Sequence, residues 1–151
     1  MVDDIDRQVL DALLRDGRAS ARDVADETGV AATTVSRRME QLTDDGVIQQ
    51  YTPRIDYERL GYDVCAVFQL SVEGAGLVGV TNRLRRMSLM IAVYEVTGSH
   101  DIVAIGRFRD TERMNERIKQ LLTDDGVRSV STSVVLRTAA EFDQFPVGSG
   151  E

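Results

Sequence analysis

Apolar residues recur at helical spacing three times before position 46. Ile5, Val9, Ala12 and Leu13 form one stripe, Ala21, Val24 and Ala25 a second, and Val35, Met39 and Leu42, at i, i+4 and i+7, a third. The punctuation agrees: Gly17 is placed to stop the first helix, Ser20 to cap the second, and Gly29 to turn into the third. Two short helices joined by a Gly turn, the second polar on its outward side, are the pattern of a DNA-binding helix-turn-helix. After Gly46, VIQQYTPRI predicts a short wing or linker strand that Pro53 interrupts. Residues 52–62 (TPRIDYERLGY) carry no sustained period.

From Asp63 the period changes to two. Val64, Ala66, Phe68, Leu70 and Val72 alternate with Cys65, Gln69 and Ser71, as in a strand with one buried face. A helix with Leu77, Val80, Leu84 and Met87 follows. Strands at 91–97 and 101–108 are joined by Gly98-Ser99-His100, a helix carries Met114, Ile118, Leu121 and Leu122, and VRSVSTSVVLRT makes the last strand. The order βαββαβ predicts a ferredoxin-like arrangement, with both helices on one face of an antiparallel sheet. The fold class is α+β: a winged helix-turn-helix over 1–51, a linker over 52–62, a sheet domain over 63–140 and a tail over 141–151 that frays after Pro146. LTDDGV occurs at 42–47 and again at 122–127, which reads as one helix-ending chemistry used twice, Gly at C′ before an apolar strand start.

Composition narrows the function classes. The hydrophobic share of 42% suffices for packed cores, and no apolar run approaches the ~20 residues of a membrane span. The start MVDDIDRQ is acidic rather than a basic leader, so a cytoplasmic protein with no membrane partner is expected. A single Cys65 and a single His100 cannot build the usual zinc cage; no metal and no cofactor are expected. No nucleophile, paired-carboxylate or Gly-rich phosphate motif is present. The net charge is −7, and residues 1–60 alone hold 8 Arg against 13 acids, so attraction to phosphate at long range fails. With Lys119 the only Lys and Asp abundant, the surface reads as a halophile's, the alternative being an ordinary acidic mesophilic protein. The Debye length is about 3 Å at 1 M salt, which leaves DNA contact to local groups.

With Val35 at the centre of the buried face and about 100° per residue, Thr33, Ser36, Arg37 and Glu40 point outward, and Thr34 and Gln41 lie at the flanks. Arg37 can pair with guanine and Glu40 can accept from cytosine, while the Thr and Ser hydroxyls suit phosphates or thymine methyls. Ser20 reads as a cap that also touches phosphate. The alternative for each is a solvated group on a surface helix. In the turn, Gly98 allows a backbone that offers N–H groups to a carboxylate, and Asp101 can accept from an α-amino group, so Gly98, Ser99, His100 and Asp101 are candidates for recognising an amino acid. The alternative is a hairpin that Asp101 caps. The last strand near Val134 is a further place for the pocket. Cys65 reads as a small core or interface residue.

Taken together, IDRQVLDALLRDGRAS, TTVSRRMEQL with GVIQQY, LGY before the first sheet strand, and the turn VTGSHD, in this order and spacing, resemble the Lrp/AsnC family of bacterial and archaeal transcription regulators. The likeness runs across nearly the whole chain, and a halophilic archaeon is the expected source. It implies a ferredoxin-like domain of the RAM, ACT-like type, and sequence-specific binding of double-stranded DNA by homodimers or larger rings of dimers. It also implies a small-molecule effector, an amino acid or similar metabolite, held between subunits at the sheet domain. Arg38 matches the family's Arg, with phosphate contact or holding the helix as its role. The chain departs from the pattern at Ala31, where a Ser N-cap is usual and its absence costs around 1 kcal/mol. It departs also at Glu40 and Gln41, where basic residues are usual, and at His100, which stands where many members carry an aromatic and implies a pocket that is more polar or pH-sensitive. The sheet face carrying Val67 and Ile105 needs cover, which predicts at least a dimer. Two other readings stand beside this one. A siroheme decarboxylase resembles the family in both domains and would use Arg83, Arg85 and Arg86 around its tetrapyrrole. A metabolite-binding module that has lost DNA binding would account for the acidic helix face.

Overall fold

Asp3 opens the first helix by reciprocal bonding: its carboxylate accepts the Asp6 N–H at 2.9 Å, and the Asp6 carboxylate accepts the Asp3 N–H at 2.9 Å. The computed structural model describes residues 1–148, which form two units, Met1–Arg54 with residues 140–148, and Ile55–Ala139. In the first, α1 (Asp4–Arg15), α2 (Ala21–Thr28) and α3 (Ala32–Asp44) bring Val9, Ala12, Val24, Val35 and Leu42 into one apolar core. The three predicted stripes are the faces that meet there. Gly29, at φ 74°, makes the left-handed turn between α2 and α3, a conformation an L side chain rarely adopts. Gly17, by contrast, has no left-handed backbone. The Asp16 carboxylate accepts the Arg18 N–H at 2.9 Å and turns the chain instead.

The predicted wing strand is not formed. Residues 49–56 carry no regular structure; Ile48 packs on the helical core, while Val47 and Tyr51 are exposed. A strand needs a partner ladder, and among the described residues no strand is laddered to this segment, whose Pro53 lacks an N–H to offer.

The second unit is a four-stranded antiparallel sheet in the order β2-β3-β1-β4, from β1 (Val64–Val72), β2 (Met90–Glu95), β3 (Ile102–Phe108) and β4 (Val127–Val134). Helices α4 (Leu77–Arg86) and α5 (Thr111–Leu122) cover one face, where Val80, Leu84, Met114 and Leu121 pack on Phe68, Leu70, Ile102 and Phe108. This is the ferredoxin-like βαββαβ fold. The Phe68 and Phe108 rings meet edge to face at 5.9 Å. Gly106, on the same face, leaves room for Phe108: a Cβ there would lie 2.9 Å from the ring. Gly106→Ala is therefore expected to destabilise this unit by about 1 to 3 kcal/mol, read as a lower urea midpoint. An unchanged midpoint would show that the ring can move.

Three further expectations are corrected. Strand β4 stops at Val134 rather than running on to Thr138, because its partner β1 begins at Val64; the Val135 N–H reaches Cys65 O at 2.8 Å, and Leu136 is then exposed. The two LTDDGV copies do not end alike. Gly46 is left-handed at φ 72°, whereas Gly126 is not, and is small because a Cβ would sit 3.0 Å from Val80. The tail beyond Pro146 does not fray at once: the N–H groups of Val147 and Gly148 donate to the Asp11 carboxylate at 2.7 and 2.9 Å, and Arg7 donates to Val147 O at 2.9 Å. The linker residues from Ile55 cluster with the sheet unit, where Tyr57 and Tyr62 stand edge to face and Arg107 and Arg109 lie over their rings.

Candidate DNA-reading helix and effector turn

Helix α3 presents Thr33, Ser36, Arg37, Glu40 and Gln41 as exposed side chains and keeps Thr34 and Arg38 half-buried, with Val35 and Leu42 in the core. Its outward stripe is thus polar over its whole length. Ala31 occupies the N-cap and supplies no side-chain acceptor, so the first N–H groups of α3 are left to solvent or to a phosphate oxygen. Ser20 caps α2: its hydroxyl accepts the Asp23 N–H at 3.2 Å, and the Asp23 carboxylate accepts the Ser20 N–H at 2.8 Å.

Of the two roles expected for Arg38, its contacts serve the second. Its Nη2 lies 2.8 Å from Asp3 Oδ2 and its Nη1 3.1 Å from Asp6 Oδ1, so it ties α3 to the start of α1. The acidic start of the chain, read from sequence only as a poor leader, supplies these anchors.

Two of these capping carboxylates are acid-strengthened. Asp3 titrates below its ordinary value of 3.8, chiefly because it accepts the Asp6 N–H and then because of Arg38; Asp23 does so chiefly through the Ser20 hydroxyl and N–H. A carboxylate with a depressed folded pKa stabilises the fold above its ordinary pKa, and that contribution is lost as pH falls through the folded value. The helical unit is therefore expected to melt at constant temperature above about pH 5 and at progressively lower temperature below about pH 4. Circular dichroism melts at pH 3 and pH 6 with equal midpoints would contradict this.

The turn from β2 to β3 holds Gly98 at φ 112°, and Ser99 Oγ lies 3.1 Å from His100 Nδ1. Asp101 has a structural duty here: its Oδ2 accepts the Val72 N–H at 2.9 Å, and its own N–H donates to Leu70 O at 2.9 Å. The sheet register separates Val134 from this turn. Val134 pairs with Ala66, whereas Leu70 pairs with Ile102 beside Asp101, so within one chain Val134 lies toward the opposite end of the sheet. What the register brings near Asp101 is Val72, whose partner is Val127, and the adjoining Arg128. Arg128 donates to both carboxylate oxygens of Glu73, and this pairing pushes the Glu73 pKa down and that of Arg128 up. Sequence spacing carries no sign of this pair, whose members are 55 residues apart.

A three-helix unit with an exposed polar third helix, followed by a ferredoxin-like sheet unit, defines a DNA-binding regulator with a separate ligand-binding domain. Comparison with known proteins agrees. Residues 2–49 match the model described as "Winged helix-turn-helix DNA-binding", and residues 65–145 match that described as "Lrp/AsnC ligand binding domain". An uncharacterized HTH-type transcriptional regulator of Pyrococcus horikoshii is 37% identical over 140 residues, 93% of this chain and 95% of the relative. The HTH-type transcriptional regulator FL11 of the same organism is 32% identical over 146 residues, 97% of each chain. Among solved structures, the feast or famine regulatory protein of Mycobacterium tuberculosis complexed with L-methionine superposes with a TM-score of 0.90 at 25% identity, over 97% of this chain and 99% of that one. The chain belongs to the Lrp/AsnC family. It is a transcriptional regulator rather than an enzyme, and the siroheme decarboxylase reading finds no support among these relatives.

Proposed function

We propose that the protein is an amino-acid-responsive regulator that reads DNA as a homodimer or a larger assembly of dimers. The observation that carries the reading step is the outward stripe of α3, where Thr33, Ser36, Arg37, Glu40 and Gln41 are all exposed. Arg37 donates to a guanine edge, Glu40 accepts from cytosine, Gln41 and the hydroxyls of Thr33, Thr34 and Ser36 fill out base and phosphate contacts, and Ser20 adds a phosphate contact at the start of α2. Arg38 positions the helix. On the sheet face away from the helices, Val67 pairs with Ile105 and both are half-buried, which supports a second copy as its cover. Light scattering is expected to return at least twice the chain mass of 16.7 kDa.

The effector turn is read as Gly98, Ser99, His100 and Asp101, with Val134 contributed by a second chain. An amino acid would offer its ammonium to the Asp101 oxygen that does not accept the Val72 N–H, and its carboxylate to the N–H groups around Gly98. The M. tuberculosis relative solved with L-methionine supports an amino acid as the class of ligand. A protein that binds genomic DNA works where that DNA is, which supports a cytoplasmic setting. The acidic, almost Lys-free composition supports a halophilic archaeal source.

Asp101→Asn tests the effector step. Asn keeps an acceptor for the Val72 N–H while removing the charge, so DNA binding without effector should persist and its response to added amino acids should vanish. A coupling of about 1 to 3 kcal/mol corresponds to a five-fold or larger change in DNA affinity, which is ample for titration at fixed salt. A variant responding with the parent midpoint would show that the turn is structural only.

A further inference from the structure

Three arginines line one cleft of the sheet unit, in a chain whose net charge is −7. Arg113 and Arg117 stand one turn apart on α5, and Arg109, just before that helix, joins them in lining the cleft. Tyr62 and Leu89 wall the cleft, whose volume is about 320 Å³. Arg109 stacks its guanidinium on the Tyr62 ring, 4.7 Å from the centroid, and among the described residues pairs with no carboxylate. Arg113 reaches Glu116 Oε2 at 3.3 Å, and Arg117 donates to the Gln120 amide oxygen at 2.7 Å. The cleft thus sets three cations against one carboxylate.

The arrangement opposes the stability of its own helix in two ways. Like charges four residues apart repel, and Arg113, in the first turn of α5, faces the positive end of the helix dipole. Three other arginines, by contrast, each face an acid: Arg15 with Glu27, Arg83 with Asp124, Arg128 with Glu73. A bound dianion would remove the repulsion. Stacking on Tyr62 holds Arg109 in place beforehand, which lowers the ordering cost of binding. Guanidinium groups are planar forks that pair bidentately with phosphoryl oxygens, and a phosphoryl group has enough oxygens and charge to engage more than one fork, where a lone carboxylate satisfies one. The volume is at the small end for ligand clefts, which suits a phosphate or diphosphate group.

We propose that the cleft of Tyr62, Arg109, Arg113 and Arg117 binds a phosphoryl group, at a site separate from the effector turn. That group has two sources, a free phosphate-bearing small molecule or the backbone of bound DNA. The inference stands independently of the amino-acid reading.

Titration calorimetry of the full chain with inorganic diphosphate, at fixed ionic strength, tests it. Saturable binding is expected, weakened ten-fold or more in Arg113→Gln/Arg117→Gln, strengthened several-fold in Glu116→Gln, and unchanged in Asp101→Asn. If diphosphate does not bind, but the slope of log K for DNA against log salt becomes shallower by roughly 2 in the double variant, the phosphoryl group is the DNA backbone's. No diphosphate binding together with an unchanged salt slope overturns the proposal. So does diphosphate binding that the arginine and Glu116 variants leave alone, or that Asp101→Asn abolishes.

Discussion

Arg38→Ala is expected to lower the stability of the helical unit by about 3 kcal/mol, although Arg38 lies on the helix proposed to read DNA. The expectation rests on what would be left behind. Asp6 is buried, with 7% of its side chain accessible, and Arg38 Nη1 lies 3.1 Å from its carboxylate. Removing the cation strands a buried charge, which typically costs 3 to 5 kcal/mol, and the Asp3 N–H that Asp6 also accepts places the effect at the lower end of that range. The Asp3 arm of the same ion pair is half exposed and contributes little. Replacing both partners, as in Asp6→Leu/Arg38→Met, should recover most of the loss, because no uncompensated charge then remains. Hydrogen exchange of the α1 and α3 amides reads this unit apart from the sheet unit. A loss below about 1 kcal/mol in Arg38→Ala would mean that the pair is ornamental and that Arg38 is free to contact phosphate.

How much of this was legible in the sequence differs by kind of feature. The stripes Val9, Ala12 and Val35, Leu42 and the alternation Ala66, Phe68, Leu70 report which face of its own element each residue occupies, and those faces form the two cores. The helix-turn-helix and the βαββαβ order follow from them. Periodicity says nothing about which distant group a polar side chain meets. The partners of Arg38 are 32 and 35 residues away in the chain, and those of Asp11 more than 130, so neither the helix anchor nor the docked tail left a local signature. The wing strand fails for the opposite reason: VIQQY has strand-like residues, but a strand exists only with a partner. In the candidate effector site, the turn itself was visible through Gly98 and Asp101, whereas its distance from Val134 and its neighbour Arg128 follow from sheet register alone.

Arg37→Ala should behave in the opposite way to its neighbour. Arg37 is exposed and holds nothing in place within the described residues, so its loss should leave the melting midpoint within experimental scatter. If it donates to a guanine edge, specific DNA affinity should fall by about 1 to 3 kcal/mol, roughly 5- to 150-fold, with discrimination relaxed at one position of the site. Binding to unrelated DNA should change far less, since that depends on phosphate contacts spread over the surface. Anisotropy titrations with specific and scrambled duplexes at one salt concentration separate the two effects. The adjacent residues should then give a clean contrast, with Arg38→Ala costing stability and Arg37→Ala costing recognition.

The central claim, that the exposed stripe of α3 selects particular DNA sequences, is tested most directly by capturing fragments of genomic DNA on the purified full chain, beside Arg37→Ala, in molar KCl. The parent protein should enrich fragments sharing a motif of two half-sites about one helical turn, roughly 10 base pairs, apart, and Arg37→Ala should lose that enrichment while remaining folded. Fragments without a shared motif, or the same motif enriched equally by the variant, would contradict it.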